Sequence, residues 1–283
     1  MATIVSINAM AHAPGATGWL DKAPKHEQDA LLAGYARMGE RLRATRPDVI
    51  VGIANDHLLN FPMDSIPDWC VGTADNWKGP AEWFRDWINV PEYKVAGHRE
   101  LARSIVRGCG TRGVNLAFSD KLEFDDNWSV PLNFLTPDHD IPLVPIHMNC
   151  VVPPVPSPGR CIEFGRVLAA VIQAFPGDAR VAIMATGGLS HDPGGQKYFD
   201  VDEVFDRWFL DMLASGDTGR VLREVTIEKM MGAGDGGTVE LLAWLVAMGA
   251  AQTLVPGRGS ETMFYVPSVP LRCGMGGVEW SVA

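Results

Sequence analysis

Short apolar runs alternate with amphipathic segments along most of the chain. Brief runs rich in Val, Ile and Ala predict buried strands, and apolar residues that recur every three or four positions predict helices. The predicted strands are Thr3–Ala9, Asp48–Ala54, Val114–Phe118, Ile141–Met148 and Arg180–Gly187. The predicted helices are His26–Arg43, Gly97–Gly108, Cys161–Ala174, Val204–Leu213 and Gly237–Met248. A repeated strand–helix order predicts an α/β fold with a central mixed β-sheet flanked by helices.

Polar side chains follow three of the predicted strands. His12 comes shortly after the first strand, the second ends in Asn55, Asp56 and His57, and His191 follows "RVAIMATGGLS". In open α/β sheets, ligands bind at the carboxyl ends of the strands. The pattern therefore predicts a functional site built from these residues.

Each candidate also has a structural interpretation. His12 could be a loop histidine bonded to the backbone, and His191 a plain turn residue. Glu240 could simply favour a helix N-terminus through the helix dipole. However, Glu240 precedes the nearly all-apolar "LLAWLVAMG", and a carboxylate at the mouth of a buried helix needs a partner, for which a cation is suitable. Two histidines and one carboxylate on one metal are typical of non-haem Fe(II) oxygenases, although the set also suits catalytic zinc.

Composition narrows the class of protein. The chain has 283 residues, enough for a substantial core, and we predict a single catalytic domain over 1–283. The formal charge of −10 and the lack of a basic patch argue against nucleic-acid binding. No apolar run approaches the roughly 18 residues of a membrane span. Five scattered cysteines without a CxxC pair argue against a disulfide framework, and the first residues lack the basic segment of a signal peptide. We therefore expect a cytoplasmic protein.

The segments "AHAPG", "VIVGIANDH", "ATGGLSH" and "GDGGTVELLAWLVAMGA" occur in this order over most of the chain. Together they resemble the LigB-type (class III) extradiol ring-cleaving dioxygenases, such as the β subunit of protocatechuate 4,5-dioxygenase. The resemblance implies a LigB-like fold, with His12, His57 and Glu240 as Fe(II) ligands and His191 as the acid–base catalyst. It also implies ring cleavage by O₂ next to ortho hydroxyl groups, in the catabolism of aromatic compounds.

The stretch "FDDNWSVPL" departs from the family pattern. Many members carry an Asp-His-Gly element before "VPL" whose histidine contacts the substrate, and here Asn127 stands at that position. Asn can hydrogen-bond but cannot titrate. We therefore expect Asn127, with Asn55 and Asp56, to contact the substrate or support the site. The substrate is expected to be a catechol-like or ortho-hydroxylated ring, including nitrogen-containing rings such as a hydroxypyridone or an aminophenol.

Several alternatives remain open from the sequence. A metal-dependent hydrolase or a non-catalytic binding protein could share the fold. Small aromatic substrate and O₂ are the expected partners, with a homo-oligomer or a separate small subunit as the assembly. The tryptophan-rich stretch Asn76–Tyr93 could be a lid, an interface or a loop with its own small core.

Overall fold

The alternating segments form an eight-stranded mixed sheet with helices on both faces, in a computed structural model that describes residues 1–282. The sheet strands are β1 (Thr3–Met10), β2 (Val49–Asn55), β3 (Trp69–Gly72), β6 (Ala117–Ser119), β7 (Leu143–Met148), β8 (Arg180–Thr186), β9 (Glu261–Ser268) and β10 (Cys273–Trp280). A separate pair is formed by β4 (Asn76–Gly79) and β5 (Tyr93–Ala96).

The helices connect these strands. They are α1 (Gly15–Gly18), α2 (Lys25–Ala44), α3 (Arg85–Ile88), α4 (Arg99–Gly110), α5 (Asp126–Leu135), α6 (Pro158–Gln173), α7 (Glu203–Ala214), α8 (Thr218–Glu224), α9 (Ile227–Ala233) and α10 (Leu241–Leu254). Short 3₁₀ turns occur at Leu20–Lys22, Glu82–Phe84 and Thr238–Glu240. None of the helices formed by residues 1–282 combines the length and hydrophobicity that a membrane span needs.

The strand order, β6-β3-β7-β2-β8-β1-β10-β9, puts the predicted site strands side by side. β8 pairs in parallel with β2 on one side and with β1 on the other. The carboxyl ends of β2, β8 and β1 therefore meet at one edge of the sheet. Antiparallel β10 and β9 extend the sheet beyond β1.

Both faces of the central strands are buried, because successive side chains point to opposite sides. In β2, Val49, Val51 and Ile53 join the core that contains α6 and α10. Ile50 and Ala54 join the core that contains α2 and α5 on the other face. This double burial explains why the strand reads as a continuous apolar run.

α10 packs closely against α6 because two glycines allow their backbones to approach. A Cβ on Gly165 would lie 2.0 Å from the carbonyl oxygen of Val246, and one on Gly249 would lie 2.1 Å from that of Ile162. Every residue of α10 from Leu241 to Gln252 is buried. The contact fixes the helix that immediately follows Glu240.

The predicted α/β architecture is confirmed, with differences at several elements. The predicted strand Val114–Phe118 is shorter and begins at Ala117, and the two antiparallel strands β9 and β10 were not predicted. The stretch Asn76–Tyr93 contains β4, α3 and a 3₁₀ turn. The single domain over 1–283 stays a prediction, and Ala283 lies outside the described residues.

Candidate metal centre

A cavity of about 210 Å³ opens at the carboxyl ends of β1, β2 and β8. Three histidines and two carboxylates line it, together with a mainly apolar wall. The lining residues are His12, Ala13, Pro14, His57, Phe84, Trp87, Asp126, Gly188, His191, Pro193, Glu240 and Cys273. The cavity thus collects four of the residues that the sequence indicated and places them beside aromatic side chains.

His12 is held by a chain of hydrogen bonds that begins at the carbonyl oxygen of Asn127 in α5. Pro131 lies inside α5 and has no N–H, so it cannot bond to the carbonyl of Asn127 four residues earlier. The Thr186 hydroxyl donates to that carbonyl at 3.0 Å, and its oxygen lies 3.0 Å from His12 Nδ1. Because the hydroxyl proton is committed, the oxygen accepts from Nδ1–H. The lone pair of His12 is therefore on Nε2, which lies 3.3 Å from Glu240 Oε2.

His57 is oriented by the acids that precede and begin α5. Its Nδ1 lies 3.1 Å from Asp125 Oδ2 and 3.3 Å from Asp126 Oδ1, and its Nε2 lies 3.0 Å from Glu240 Oε1. A carboxylate on Nδ1–H is the arrangement that typically orients a metal-binding histidine. The His12 and His57 rings meet edge to face with centroids 5.2 Å apart.

His191 approaches the same carboxylate from a glycine-containing turn. Its Nδ1 lies 2.9 Å from the carbonyl oxygen of Leu189, an acceptor, so Nδ1 carries the proton. Its Nε2 lies 3.7 Å from Glu240 Oε2. Gly188 permits this turn, since a Cβ there would lie 2.4 Å from the His191 ring. In their neutral forms, all three histidines therefore present Nε2 lone pairs toward Glu240.

Glu240 is almost completely buried and accepts two further hydrogen bonds. The Gly188 N–H donates to Oε2 at 3.0 Å, and Asn55 Nδ2 donates to Oε1 at 3.2 Å. These contacts fix both oxygens toward the cavity, where they meet the histidine nitrogens. A carboxylate oxygen and an imidazole lone pair at 3.0–3.3 Å repel each other unless a proton or a cation lies between them.

The electrostatics of the described residues reflect this arrangement. Burial opposes ionisation of His57, but Asp125 and Asp126 outweigh it and raise the pKa of His57 well above its ordinary value. Burial would raise the pKa of Glu240, but His191 and His12 hold that pKa well below its usual range. Burial, offset in part by His57, raises the pKa of Asp126 to about 6.

The donor set fits a divalent cation. Asp125, Asp126 and Glu240 place three carboxylates in or against the cavity, and no Lys or Arg is among the residues that line it. Ring nitrogens of His12 and His57 and an oxygen of Asp126 lie within 4.8 Å of one another, the spacing of a metal site. Asp126 and Glu240 are thus both candidates for the third metal ligand beside His12 and His57. Glu240 fits better, because both Nε2 atoms face it, whereas Asp126 lies on the Nδ1 side of His57.

Three of the indicated residues lie outside the cavity lining, and one of them, Asn55, instead holds Glu240 as described above. Asp56 is buried and accepts from Asn60 Nδ2 at 2.6 Å, with His147 Nδ1 at 3.1 Å. Asn127 is buried, and its Nδ2 donates to the carbonyl of Asn55 at 2.9 Å. Asp56 and Asn127 pack behind the site, so a contact of either with substrate stays a prediction, as it does for Asn55.

Sequence reasoning missed the acids Asp125 and Asp126. Their only signal is a pair of acids just before a stretch that contains a proline, and a proline disfavours a helix at that point. Asp125 in fact caps α5, since its side chain accepts from the Asn127 N–H at 2.9 Å. Phe84, Trp87 and Cys273 were also missed as cavity residues. They lie far in sequence from the histidines and Glu240, so only the folded structure brings them to the cavity.

Comparison with known proteins decides the family. The family described as "Catalytic LigB subunit of aromatic ring-opening dioxygenase" matches residues 7–267. The chain belongs to the LigB family. One of its relatives is a 2,3-dihydroxyphenylpropionate/2,3-dihydroxicinnamic acid 1,2-dioxygenase of Photorhabdus laumondii. The two sequences are 31% identical over 160 residues, which cover 56% of this chain and 48% of the relative. A gallate dioxygenase of Pseudomonas putida is 29% identical over 62% of this chain and 51% of the relative.

The extent of these alignments varies. The chain spans about half the length of the two relatives just named. A 2,3-dihydroxyphenylpropionate/2,3-dihydroxicinnamic acid 1,2-dioxygenase of Cupriavidus necator aligns over 90% of this chain and 92% of the relative, at 24% identity. The crystal structure of an uncharacterised Escherichia coli K12 protein covers 96% of this chain and 99% of that chain, with a TM-score of 0.57 and 16% identity. That structure shows a shared fold only.

Proposed function

We propose that this LigB-family chain is a non-haem Fe(II)-dependent extradiol dioxygenase that opens a catechol-like ring with O₂. The observation that carries the proposal is the convergence of three Nε2 atoms on one buried carboxylate, at the edge of an apolar cavity. Two histidines and one carboxylate leave positions open on the metal, as dioxygen chemistry requires. The family description, which names aromatic ring opening, and relatives named as dioxygenases of dihydroxyphenylpropionate and of gallate support the reaction class.

The proposed iron ligands are His12 Nε2, His57 Nε2 and the carboxylate of Glu240. Thr186 and Asp125 act on the Nδ1 atoms and hold the two imidazoles in the tautomer that leaves Nε2 free. Asn55 and the Gly188 N–H hold the carboxylate. The ligands are thus oriented before the metal binds, which lowers the cost of assembling the site.

The cavity walls suit a flat ring. Phe84 and Trp87 supply aromatic surface, and Pro14 and Pro193 supply rigid apolar surface. These walls exclude water and restrict the ring to a position beside the three histidines. Fe(II), when bound, supplies the electronic link between an electron-rich ring and O₂.

His191 is the proposed acid–base catalyst. Its Nδ1–H is engaged by Leu189, so Nε2 is the atom that takes a proton from a catechol hydroxyl and returns it later. Burial lowers its basicity, but Glu240 outweighs burial and raises the pKa of His191 above its ordinary value. An imidazole suits this role because it exchanges protons near neutral pH.

The test is metal analysis and oxygen uptake on protein purified without air. We expect iron near one per chain, and O₂ consumption with catechols, gallates, aminophenols or hydroxypyridones that yields ring-opened products. Zinc in place of iron, with ester or amide hydrolysis and no O₂ uptake, would overturn the proposal in favour of a hydrolase. A surface variant, Glu261→Gln, which changes only the exposed contacts to Arg37 and Arg41, is the control.

A further inference from the structure

The ring cavity continues into a second, outer chamber of about 90 Å³. The two spaces share the residues Ala13, Pro14, Trp87, His191, Pro193 and Cys273. The outer chamber leads in turn to an open groove that shares Trp19, Trp87 and Arg272 with it. A molecule that enters the ring cavity from this side therefore passes Arg272.

Arg272 is held in place by aromatic rings. Its guanidinium carbon lies 4.3 Å from the Tyr198 ring centroid, 5.1 Å from that of Phe199 and 5.7 Å from that of Trp19. Its Nη1 donates to the Tyr198 hydroxyl. Stacking fixes the plane of the guanidinium and leaves its other N–H groups available.

Arg272 has no anionic partner among residues 1–282. None of their carboxylates lies within 4.0 Å of it, although the chain carries a formal charge of −10 and nine other arginines among these residues form ion pairs. A half-buried guanidinium with free donors is well suited to bind a carboxylate in a bidentate manner. Arg272 lines both the groove and the outer chamber, so this charge lies along the passage to the ring cavity.

The backbone at Arg272 is also unusual. This residue ends the turn between β9 and β10 and has φ of +62°. Glycine or asparagine adopts that conformation with less strain than arginine. The contacts of the Arg272 side chain with aromatic rings help to hold the residue in this conformation.

We propose that Arg272 binds the carboxylate at the end of a side arm on the aromatic substrate. The inference rests on the proposed ring-cleaving function, because it identifies the side arm of the aromatic substrate whose ring that function would cleave. Arg272 lines the outer chamber but not the ring cavity. A carboxylate attached directly to the ring would remain in the inner space, so the chemistry that fits is an aryl-alkanoate, with a spacer running along Trp87 and Pro14.

A binding experiment tests the subsite without metal or turnover. Calorimetry compares 3-phenylpropionate with 3-phenylpropionamide, which lack ring hydroxyls and differ only in charge at the end of the arm. We expect Arg272→Met to weaken binding of the acid by about tenfold to a hundredfold, the range for a charge-assisted contact, with a much smaller effect on the amide. Arg272→Gly, which relieves the backbone conformation, should show the same selective loss.

The control is Arg207→Met, which removes another ring-stacked arginine, 4.9 Å from Tyr265, that does not line these spaces. Equal weakening of acid and amide by Arg272→Met, or the same selective loss in Arg207→Met, would reject the subsite. Steady-state kinetics then compare a catechol bearing a propionate arm with its methyl ester, and the ratio of the two kcat/KM values should collapse in Arg272→Met. Selective acid binding without any ring cleavage would reject the dioxygenase and keep the subsite. Ring cleavage with an unchanged ratio would reject the subsite alone.

Discussion

Each cavity histidine is oriented through its Nδ1 atom by a different kind of acceptor. Thr186 supplies a hydroxyl oxygen to His12, Asp125 a carboxylate to His57 and Leu189 a carbonyl to His191. The acceptor also sets the basicity of the opposite nitrogen, and a carboxylate raises it most. His57 is therefore expected to be the strongest donor of the three.

Asp125→Asn tests this orientation directly. Asparagine keeps the cap on α5, because its carbonyl can accept from the Asn127 N–H, but it no longer supplies a carboxylate to His57 Nδ1. We expect iron affinity to fall by about 10–100-fold with little change in stability. Competition with a chelator measures the affinity, and an unchanged value would remove Asp125 from the support of the site.

His191→Gln separates catalysis from metal binding. Glutamine is similar in size and can still donate to the Leu189 carbonyl, but it cannot take up a proton. Iron content should stay near the wild-type level while kcat falls by about 10²–10⁴-fold. Stopped-flow absorbance of the ring-opened product, alongside iron analysis, gives both values. Loss of iron in this variant would instead make His191 a ligand.

Some site residues could be predicted from sequence and others could not. His12, His57 and His191 follow strands that end at one edge, and Glu240 interrupts an apolar pattern, so each gives a local signal. The role of Thr186 depends on a carbonyl that Pro131 leaves unpaired in a different segment. Such a contact is a property of two backbones in space and has no signature in either segment alone.

At the scale of elements, the close contact of α6 and α10 positions the turn that carries Glu240. Gly165→Ala would place a methyl group 2.0 Å from the Val246 carbonyl oxygen and force the helices apart. We expect a loss of about 1–3 kcal/mol in the free energy of unfolding, measured in urea, together with weaker iron binding. Gly110→Ala, at the open end of α4 where a Cβ meets nothing within 4 Å, should lose no stability.

Asp206 joins α7 to β9 and to the loop after β8. It accepts from Ser190 N–H at 2.7 Å, from Ser190 Oγ at 2.9 Å and from the Tyr265 hydroxyl at 2.8 Å. Burial nevertheless raises the pKa of Asp206 from 3.8 to about 6. Between pH 3.8 and about pH 6, the Asp206 carboxyl therefore keeps its proton in the folded protein and has lost it in the unfolded chain. This contribution to stability is complete below pH 3.8 and is lost as the pH rises through about 6.

Asp206→Asn should remove that pH dependence. Between pH 4.5 and pH 7 we expect the wild type to lose about 2 kcal/mol more stability than the variant, since two pKa units correspond to nearly 3 kcal/mol. Urea unfolding at both pH values gives the difference. Asp211→Asn, exposed on the same helix, should keep the wild-type profile, and an identical profile in Asp206→Asn would assign the pH dependence to other groups.

The elements differ in how well their sequence predicts them. The buried parallel strands and the long helices follow clear apolar periods, and their observed bounds lie within a few residues of the prediction. β10 reads "CGMGGVEW", and its glycines weaken any strand pattern, yet pairing with β1 and β9 makes it a strand. α5 contains Pro131, and tertiary packing of Trp128 and Leu132 overrides the local penalty.

For the whole molecule, metal binding and stability should be linked, because the proposed ligands follow β1 and β2 and immediately precede α10. Fe(II) at about a hundredfold excess over its Kd should add nearly 3 kcal/mol to the free energy of unfolding. For a chain of this size, Tm should rise by roughly 5 °C. Anaerobic calorimetry with and without a chelator measures the shift. Glu240→Gln should show little response, and a full response in that variant would reject Glu240 as a ligand.

The contacts at the centre join distant parts of the chain, with a sequence separation of 174 for His12 and Thr186 and of 183 for His57 and Glu240. Closing such long loops is slow and comes late in folding. During synthesis, both proposed histidine ligands leave the ribosome well before Glu240 does. A nascent chain that lacks Glu240 can therefore offer iron only two of the three proposed ligands, and tight loading waits until nearly the whole polypeptide has been made and folded. Iron content then measures the fraction of chains that reached the native state, which a concentration assay alone does not reveal.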